Sequence, residues 1–173
     1  MKKTVLVNGI IAGVIVSVLM FCSTMYYKKA GNFDYGMLFG YASMLLAFVF
    51  IFVGIKTYRD RYAAGVISFG KAFRIGILIA LIGSSFYVAT WMVEYHYFFP
   101  DFFEKYMDAM VTKARAAGTS EAEIAKELAQ MKSMGEWYKN PVFHVLFTYL
   151  EILPVGILVT IISGLILKRK PQA

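Results

Sequence analysis

The sequence predicts an all-α fold: an integral membrane four-helix bundle with an extracytoplasmic amphipathic helical hairpin between spans three and four. Three observations lead there. Of 173 residues, 59% are hydrophobic and 17% charged, against about 45–50% and about 25% in soluble domains. The charged residues leave four long stretches uninterrupted, and Lys and Arg gather in alternate connecting segments. The formal charge of +7 would suit a nucleic-acid binder, but so apolar a chain needs another explanation first. A single cysteine, Cys22, excludes a disulfide framework and a cysteine-based zinc site.

The stretches free of Asp, Glu, Lys and Arg are Thr4 to Tyr27, Tyr35 to Ile55 and Ile75 to Val93; Pro141 to Leu167 holds one carboxylate, Glu151. A helix needs roughly 20 apolar residues to cross a hydrocarbon core of about 30 Å. Four spans follow, at about residues 4–27, 35–56, 75–93 and 141–167, in a single membrane domain covering 1–173. The first follows Met1-Lys2-Lys3 and so resembles a secretory signal. Its apolar run is longer than the roughly 7–15 residues of such a signal. Bulky Met20 and Phe21 before Cys22 argue against lipoprotein processing, so it reads as a retained span.

Orientation follows from the flanking Lys and Arg. The N-terminal Lys2 and Lys3, the link between spans two and three, and Lys168-Arg169-Lys170 together carry ten positive charges and one negative, Asp60. Four spans put these segments on one side, which the positive-inside rule makes the cytoplasm, with both termini there. The other side has Lys28, Lys29 and Asp34, then a segment from Glu94 to Asn140 with six basic and eight acidic residues. Charge is thus sorted by membrane side, without a nucleic-acid recognition module.

Within the basic link, Tyr62, Val66, Phe69 and Phe73 recur at helical spacing and predict a cytoplasmic interfacial helix over about 62–74. Lys71 and Arg74 there are candidate contacts to lipid headgroups or to an acidic ligand. Two external helices are expected, at about 99–117 and 121–138. In the first, Phe99, Phe103, Tyr106, Met110 and Ala117 share one face. Gly118 can end it, and Ser120 with Glu123 makes a capping box for the second. The pair is either a cap on the outer leaflet or a lid over a binding site. Asn140 and Pro141 fit the N-cap and first position of span four. Small residues recur every fourth position in each span: Gly9 and Gly13, Gly36 and Gly40, Gly76 and Ala80, Gly156 and Thr160. Such ridges let helices approach closely in lipid.

The strongest chemical candidate is Glu151, ten residues after Pro141 and so about 15 Å into its span. A carboxylate at that depth is protonated, paired or exposed to a water-filled cavity. His144 and Thr148 lie on the same helical face. Pro154 removes a backbone hydrogen bond and frees a carbonyl near residue 150. These four form a candidate intramembrane polar site for a proton, cation or polar solute. The alternative is a structural carboxyl bonded to Ser84, Ser85 or Thr90. Glu94 and His96 are too few for a metal site, and no phosphate loop or nucleophile–base pair stands out. Neither enzyme activity nor a cofactor is expected.

Tyr58-Arg59-Asp60, Ile67-Ser68-Phe69-Gly70-Lys71-Ala72-Phe73-Arg74-Ile75-Gly76, and Asn140-Pro141 followed by Phe147-Thr148-Tyr149-Leu150-Glu151-Ile152-Leu153-Pro154-Val155-Gly156 resemble a bacterial membrane family, domain of unknown function 4199 (DUF 4199). The resemblance covers nearly the whole chain. It implies a small four-span protein of a bacterial inner membrane, and no activity. It also implies that Lys71, Glu151 and Pro154 lie in signature stretches. Two functions remain open. One is a structural or accessory protein acting through helix packing, with the bilayer and a membrane protein or second copy as partners. The other is a small transporter or channel component using Glu151 and His144.

Overall fold

The computed structural model describes residues 1–30 and 35–169; Asp34 and Lys170, counted above among the flanking charges, lie outside them. Six α-helices follow in order: α1 (Lys2–Ala30), α2 (Gly36–Tyr62), α3 (Phe69–Val93), α4 (Phe102–Ala116), α5 (Glu121–Tyr138) and α6 (Pro141–Leu167). A short π-helical segment, Glu94–Phe98, continues α3. There is no strand among the described residues, only an isolated antiparallel bridge between Ile67 and Arg169.

Four helices are long and apolar enough to cross a membrane: Lys2–Lys29, Gly36–Tyr62, Phe69–Phe98 and Pro141–Leu167. The second and third are longer than their charge-free stretches. Lys and Arg carry their charge on apolar stems, so Lys56, Arg59 and Arg61 extend α2 by almost two turns past Ile55. Charge counting finds the apolar centre of a span and misses its ends.

The basic link corrects one expectation, since no single helix runs across 62–74. The chain leaves α2 at Ala63 and re-enters helix at Phe69. Ala64 and Gly65 between them have φ of 47° and 81°, a left-handed pair that stops a helix. The Gly65 N–H donates to the Arg59 carbonyl at 2.9 Å, and the Ser68 hydroxyl caps α3 by accepting from the Lys71 N–H at 3.4 Å. The spacing from Tyr62 to Phe73 therefore joins residues of two helices. Tyr62 stacks on Tyr58 in α2, and Phe69 meets Phe73 in α3. Ile67, at the centre of the link, is buried and exchanges two backbone bonds with Arg169, at 3.2 and 2.9 Å. Arg59 also reaches the Leu167 carbonyl at 3.4 Å, tying the ends of α2 and α6 together.

Among the long helices, α3 packs on α1, α2 and α6, and α2 packs on α1 and α6. Small residues permit this. A Cβ on Gly76 would lie 2.6 Å from Thr160 of α6, one on Gly13 would lie 2.4 Å from Phe86, and one on Gly156 would lie 2.9 Å from Ala80. Polar residues face inward: Asn8, Ser84, Thr148, Thr160 and Ser163 are buried, while Leu6, Val14, Leu46, Leu158 and Ile166 are about half exposed or more. Such an apolar exterior suits lipid. Hydrogen bonds cross between helices as well, Thr90 to Ser17 at 2.7 Å and Ser85 with Tyr149 at 2.8 Å.

The α4–α5 pair is built from local signals. Gly118, with φ 79°, closes α4 in a Schellman motif, the Thr119 N–H reaching Ala114 and the Gly118 N–H reaching Arg115, both at 3.0 Å. Arg115 then grips Glu121 with two bonds of 2.8 and 3.1 Å, which holds that carboxyl below the usual range. Ser120 and Glu123 form the capping box at the start of α5. The Asn140 side chain accepts from the Val142 N–H at 3.0 Å, with Pro141 opening α6.

The glycine contacts give a paired test. Gly76→Ala should destabilise the detergent-solubilised protein by about 1–3 kcal/mol, the usual cost of overpacking. A Cβ on Gly40 meets nothing within 4 Å, so Gly40→Ala should be neutral or slightly stabilising. Thermal melts of the two variants side by side check the contrast.

Candidate functional site

On α6, His144, Thr148 and Glu151 stand one turn apart, and the structure gives each a different environment. The Thr148 hydroxyl donates to the His144 carbonyl at 2.8 Å and is buried, so its donor is satisfied inside its own helix. His144 is buried in an aromatic box. Its ring lies 4.7 Å from Tyr95, 4.2 Å from Tyr138 and 6.4 Å from Trp91. The His144 Nε2 atom is enclosed without a hydrogen-bond partner. This side chain joins α6 to the ends of α3 and α5.

Glu151, nearly in line with His144 along the helix, meets different surroundings. It is exposed, but to an open cavity of about 1200 Å³ that it lines together with Tyr87, Trp91 and Tyr138. The Tyr87 hydroxyl donates to Glu151 Oε1 at 3.4 Å, long for a bond between oxygens. Tyr138 accepts at 3.4 Å from the Trp91 indole N–H, and burial pushes its phenol above the usual tyrosine range. It therefore stays neutral at ordinary pH. The cavity wall carries the hydroxyls of Ser23, Thr24, Ser43 and Thr112 as well.

Two helices account for the cavity. The buried positions of α2 begin at Met44, and its first two turns stand off the other helices, with Met37, Gly40, Tyr41 and Ser43 bordering the gap. The α4 helix roofs it. Phe102, Tyr106, Ala109, Lys113 and Ala116 recur at helical spacing, and all border the cavity. The apolar face of α4 is thus rotated from the one expected. Phe103 packs 6.1 Å from Tyr138 and against Gly135 of α5, and Phe99 is buried in the turn before α4. The roof reading of the helical pair has this geometry behind it.

The other sequence candidates fall elsewhere. Ser84, Ser85 and Thr90 do not hold Glu151; Ser85 and Thr90 bond Tyr149 and Ser17, and Tyr87 takes the role. Pro154 is accommodated within a continuous α6. Leu150, whose carbonyl loses its donor to Pro154, is 60% exposed and borders no part of the cavity. Lys71 lies at the far end of α3, its ammonium 5.7 Å above the Tyr58 ring, and Arg74 is exposed one turn on. Neither approaches the cavity.

Sequence reasoning underweighted Glu94. It is 1% exposed, and the Thr24 hydroxyl donates to its Oε2 at 2.6 Å. Its other oxygen is enclosed without a partner. Glu94 ended the charge-free count of the third stretch and so looked like a boundary. The signal was present in its neighbours, Val93 before it and Tyr95 to Phe99 after, which continue the apolar and aromatic run. Thr24 lines the cavity, so Glu94 stands directly behind that wall. Among the described residues, no three of His, Cys, Asp and Glu gather as a metal-ligand set.

Residues 8–169, which carry this whole site, match a family described as protein of unknown function (DUF4199). The chain belongs to the DUF4199 family. The match takes in the first candidate span from Asn8 on, the other three whole, the roof helices and the cavity. No curated protein matches the chain, and no solved structure does. Membership therefore agrees with the resemblance read from Ile67–Gly76 and Asn140–Gly156, and it assigns Glu151 no role.

The box around His144 can be tested apart from the cavity. His144→Phe keeps an aromatic ring and removes an unpartnered polar atom, so thermal stability should change by no more than about 1 kcal/mol. His144→Ala should cost about 2–4 kcal/mol through the void it leaves. A Phe variant as damaged as the Ala variant would mean that the imidazole itself is required.

Proposed function

We propose that this DUF4199 protein is a non-catalytic solute-binding membrane protein, of the small transporter or channel-component kind, with Glu151 as its polar centre. The observation that carries the reading is the carboxylate's position. It lies about 15 Å along α6 from Pro141, and it faces an open cavity with one long hydrogen bond. An intramembrane carboxylate in a dry bundle would need a tighter partner. His144 is no part of this proposal, because its aromatic box separates it from the cavity.

The structural or accessory reading had rested on small-residue ridges as surfaces for partners. Most of those glycines are used inside the chain: Gly9, Gly13, Gly76 and Gly156 each meet a side chain of another helix closely enough to exclude a Cβ. Ridges spent on internal packing give partners less to hold. In this proposal the basic end, with Lys2, Lys3, Lys71, Arg74 and Arg169, faces the cytoplasm of a bacterial inner membrane. The roof helices lie outside, and the bilayer is the surrounding partner, with a second copy of the chain optional.

Cysteine labelling tests this reading. In a Cys22→Ser background, Glu151→Cys and Ser43→Cys should react with a membrane-impermeant, charged thiosulfonate added from outside to spheroplasts. Leu158→Cys, on the lipid-facing side, should not. An unreactive cysteine at 151 in a folded protein would sink the solute-binding proposal and restore the structural one.

A further inference from the structure

We propose that the cavity binds lipophilic organic cations, with Glu151 as their counter-charge. This deepens the solute-binding reading and rests on it. The first argument is composition. A third of the residues bordering the cavity are aromatic, twice the 17% of the chain as a whole. Aromatic faces carry negative quadrupole potential and attract cations, the more so once water is removed. Tyr87, Trp91 and Tyr138 stand on the side of the cavity where Glu151 projects.

Charge supplies the second argument. Glu151 receives one hydrogen bond, from Tyr87 at 3.4 Å, and no basic side chain pairs with it among the described residues. In its ionised form a carboxylate away from bulk water is stabilised by a cation and repels an anion. One carboxylate with hydroxyl neighbours is too poor a ligand set for Ca²⁺ or Mg²⁺. Lys113, the basic residue bordering the cavity, sits exposed on the roof helix.

Size and access complete the case. At about 1200 Å³ the cavity exceeds the roughly 300–1,000 Å³ of ordinary small-molecule sites. It has room for a multi-ring cation whose apolar groups would lie against Val16, Met20, Met37 and Met110. Methionine suits that role, being flexible and polarizable enough to fit irregular ligands. Only chemistry that is cationic and bulky at once satisfies both the carboxylate and the apolar wall.

The chain provides its own reporter. It has two tryptophans, Trp91 and Trp137. Trp91 borders the cavity, whereas Trp137 packs 5.2 Å from Phe143. Trp137→Phe thus leaves a single tryptophan, and it stands at the site. In nanodiscs of zwitterionic lipid, tetraphenylphosphonium should quench Trp91 saturably, and tetraphenylborate, of the same shape and opposite charge, should not. Glu151→Gln should weaken the cation at least tenfold, and Glu151→Asp should stay within about threefold of the parent. Equal quenching by both ions, or an unchanged Gln variant, overturns the proposal. The comparison of the two ions on the parent protein stands even if a Glu151 variant fails to assemble. Thiosulfonate labelling at 151 without cation selectivity would reject the ligand class and leave the solute site; absence of labelling would remove both.

Discussion

Close approach of α3 to its neighbours through small residues is the constraint from which the remaining structure follows. Helices in lipid gain little from burying apolar surface against one another, because the tails are as apolar as leucine. Association has to come from tight van der Waals contact and a few interhelical hydrogen bonds. Gly76 against Thr160 and Ile51, with Gly54 against Ile79, sets that contact in the half of the molecule near the basic end. Arg59 and the Ile67–Arg169 bridge fasten the same end from outside the apolar region. Once those contacts are made, helix axes are fixed for their whole length. What happens at the opposite end depends on which side chains occur there.

At that end small residues give way to aromatic ones, and the packing changes kind. Trp91, Tyr95, Phe102, Tyr138 and His144 meet edge to face or tilted, arrangements that large rings favour over close stacking. They hold α3, α5 and α6 together. The first turns of α2 stay apart from them, with Met37, Phe39 and Tyr41 about half exposed or more. The cavity is therefore the geometric remainder of a bundle fastened at one end and wedged open on one side at the other. Glu151 falls where these two regimes meet, and this explains how a carboxylate is tolerated so far along an apolar helix.

Much of this was legible in the residues, for definable reasons. Charge-free length locates apolar helices because the lipid thickness imposes it. Caps are local, so Ser120 with Glu123, Gly118 and Asn140-Pro141 could be read one by one. The turn at Ala64-Gly65 was missed because apolar spacing across it imitates a helix. Glu94 was missed because counting treats any charge as an end. Least legible was the partition of His144 from Glu151. Seven residues apart, they differ by only about 20° around an ideal helix; which of them meets a wall of rings and which meets space depends on the neighbouring helices. Tyr87, rather than Ser84 or Thr90, reaches Glu151 for the same reason. Rotation of one helix against another is a tertiary property that no single helix encodes.

The roof helix carries a final consequence. No residue of α4 is buried, although its apolar face borders the cavity along its length. Its connections to the long helices include Phe102, which meets Trp91 at 5.0 Å, and the Lys28 ammonium, which reaches the Phe98 carbonyl at 2.8 Å in the segment before it. A helix without a buried residue lies towards the low-stability end of a molecule. Apolar ligand surface filling the cavity would pack against that face, so occupancy and ordering of α4 would be coupled. The amphipathic pattern of 102–116, which reads from sequence alone as either a cap on lipid or a lid over a binding site, borders the cavity in the structure. The difference lies in the gap left by the first turns of α2.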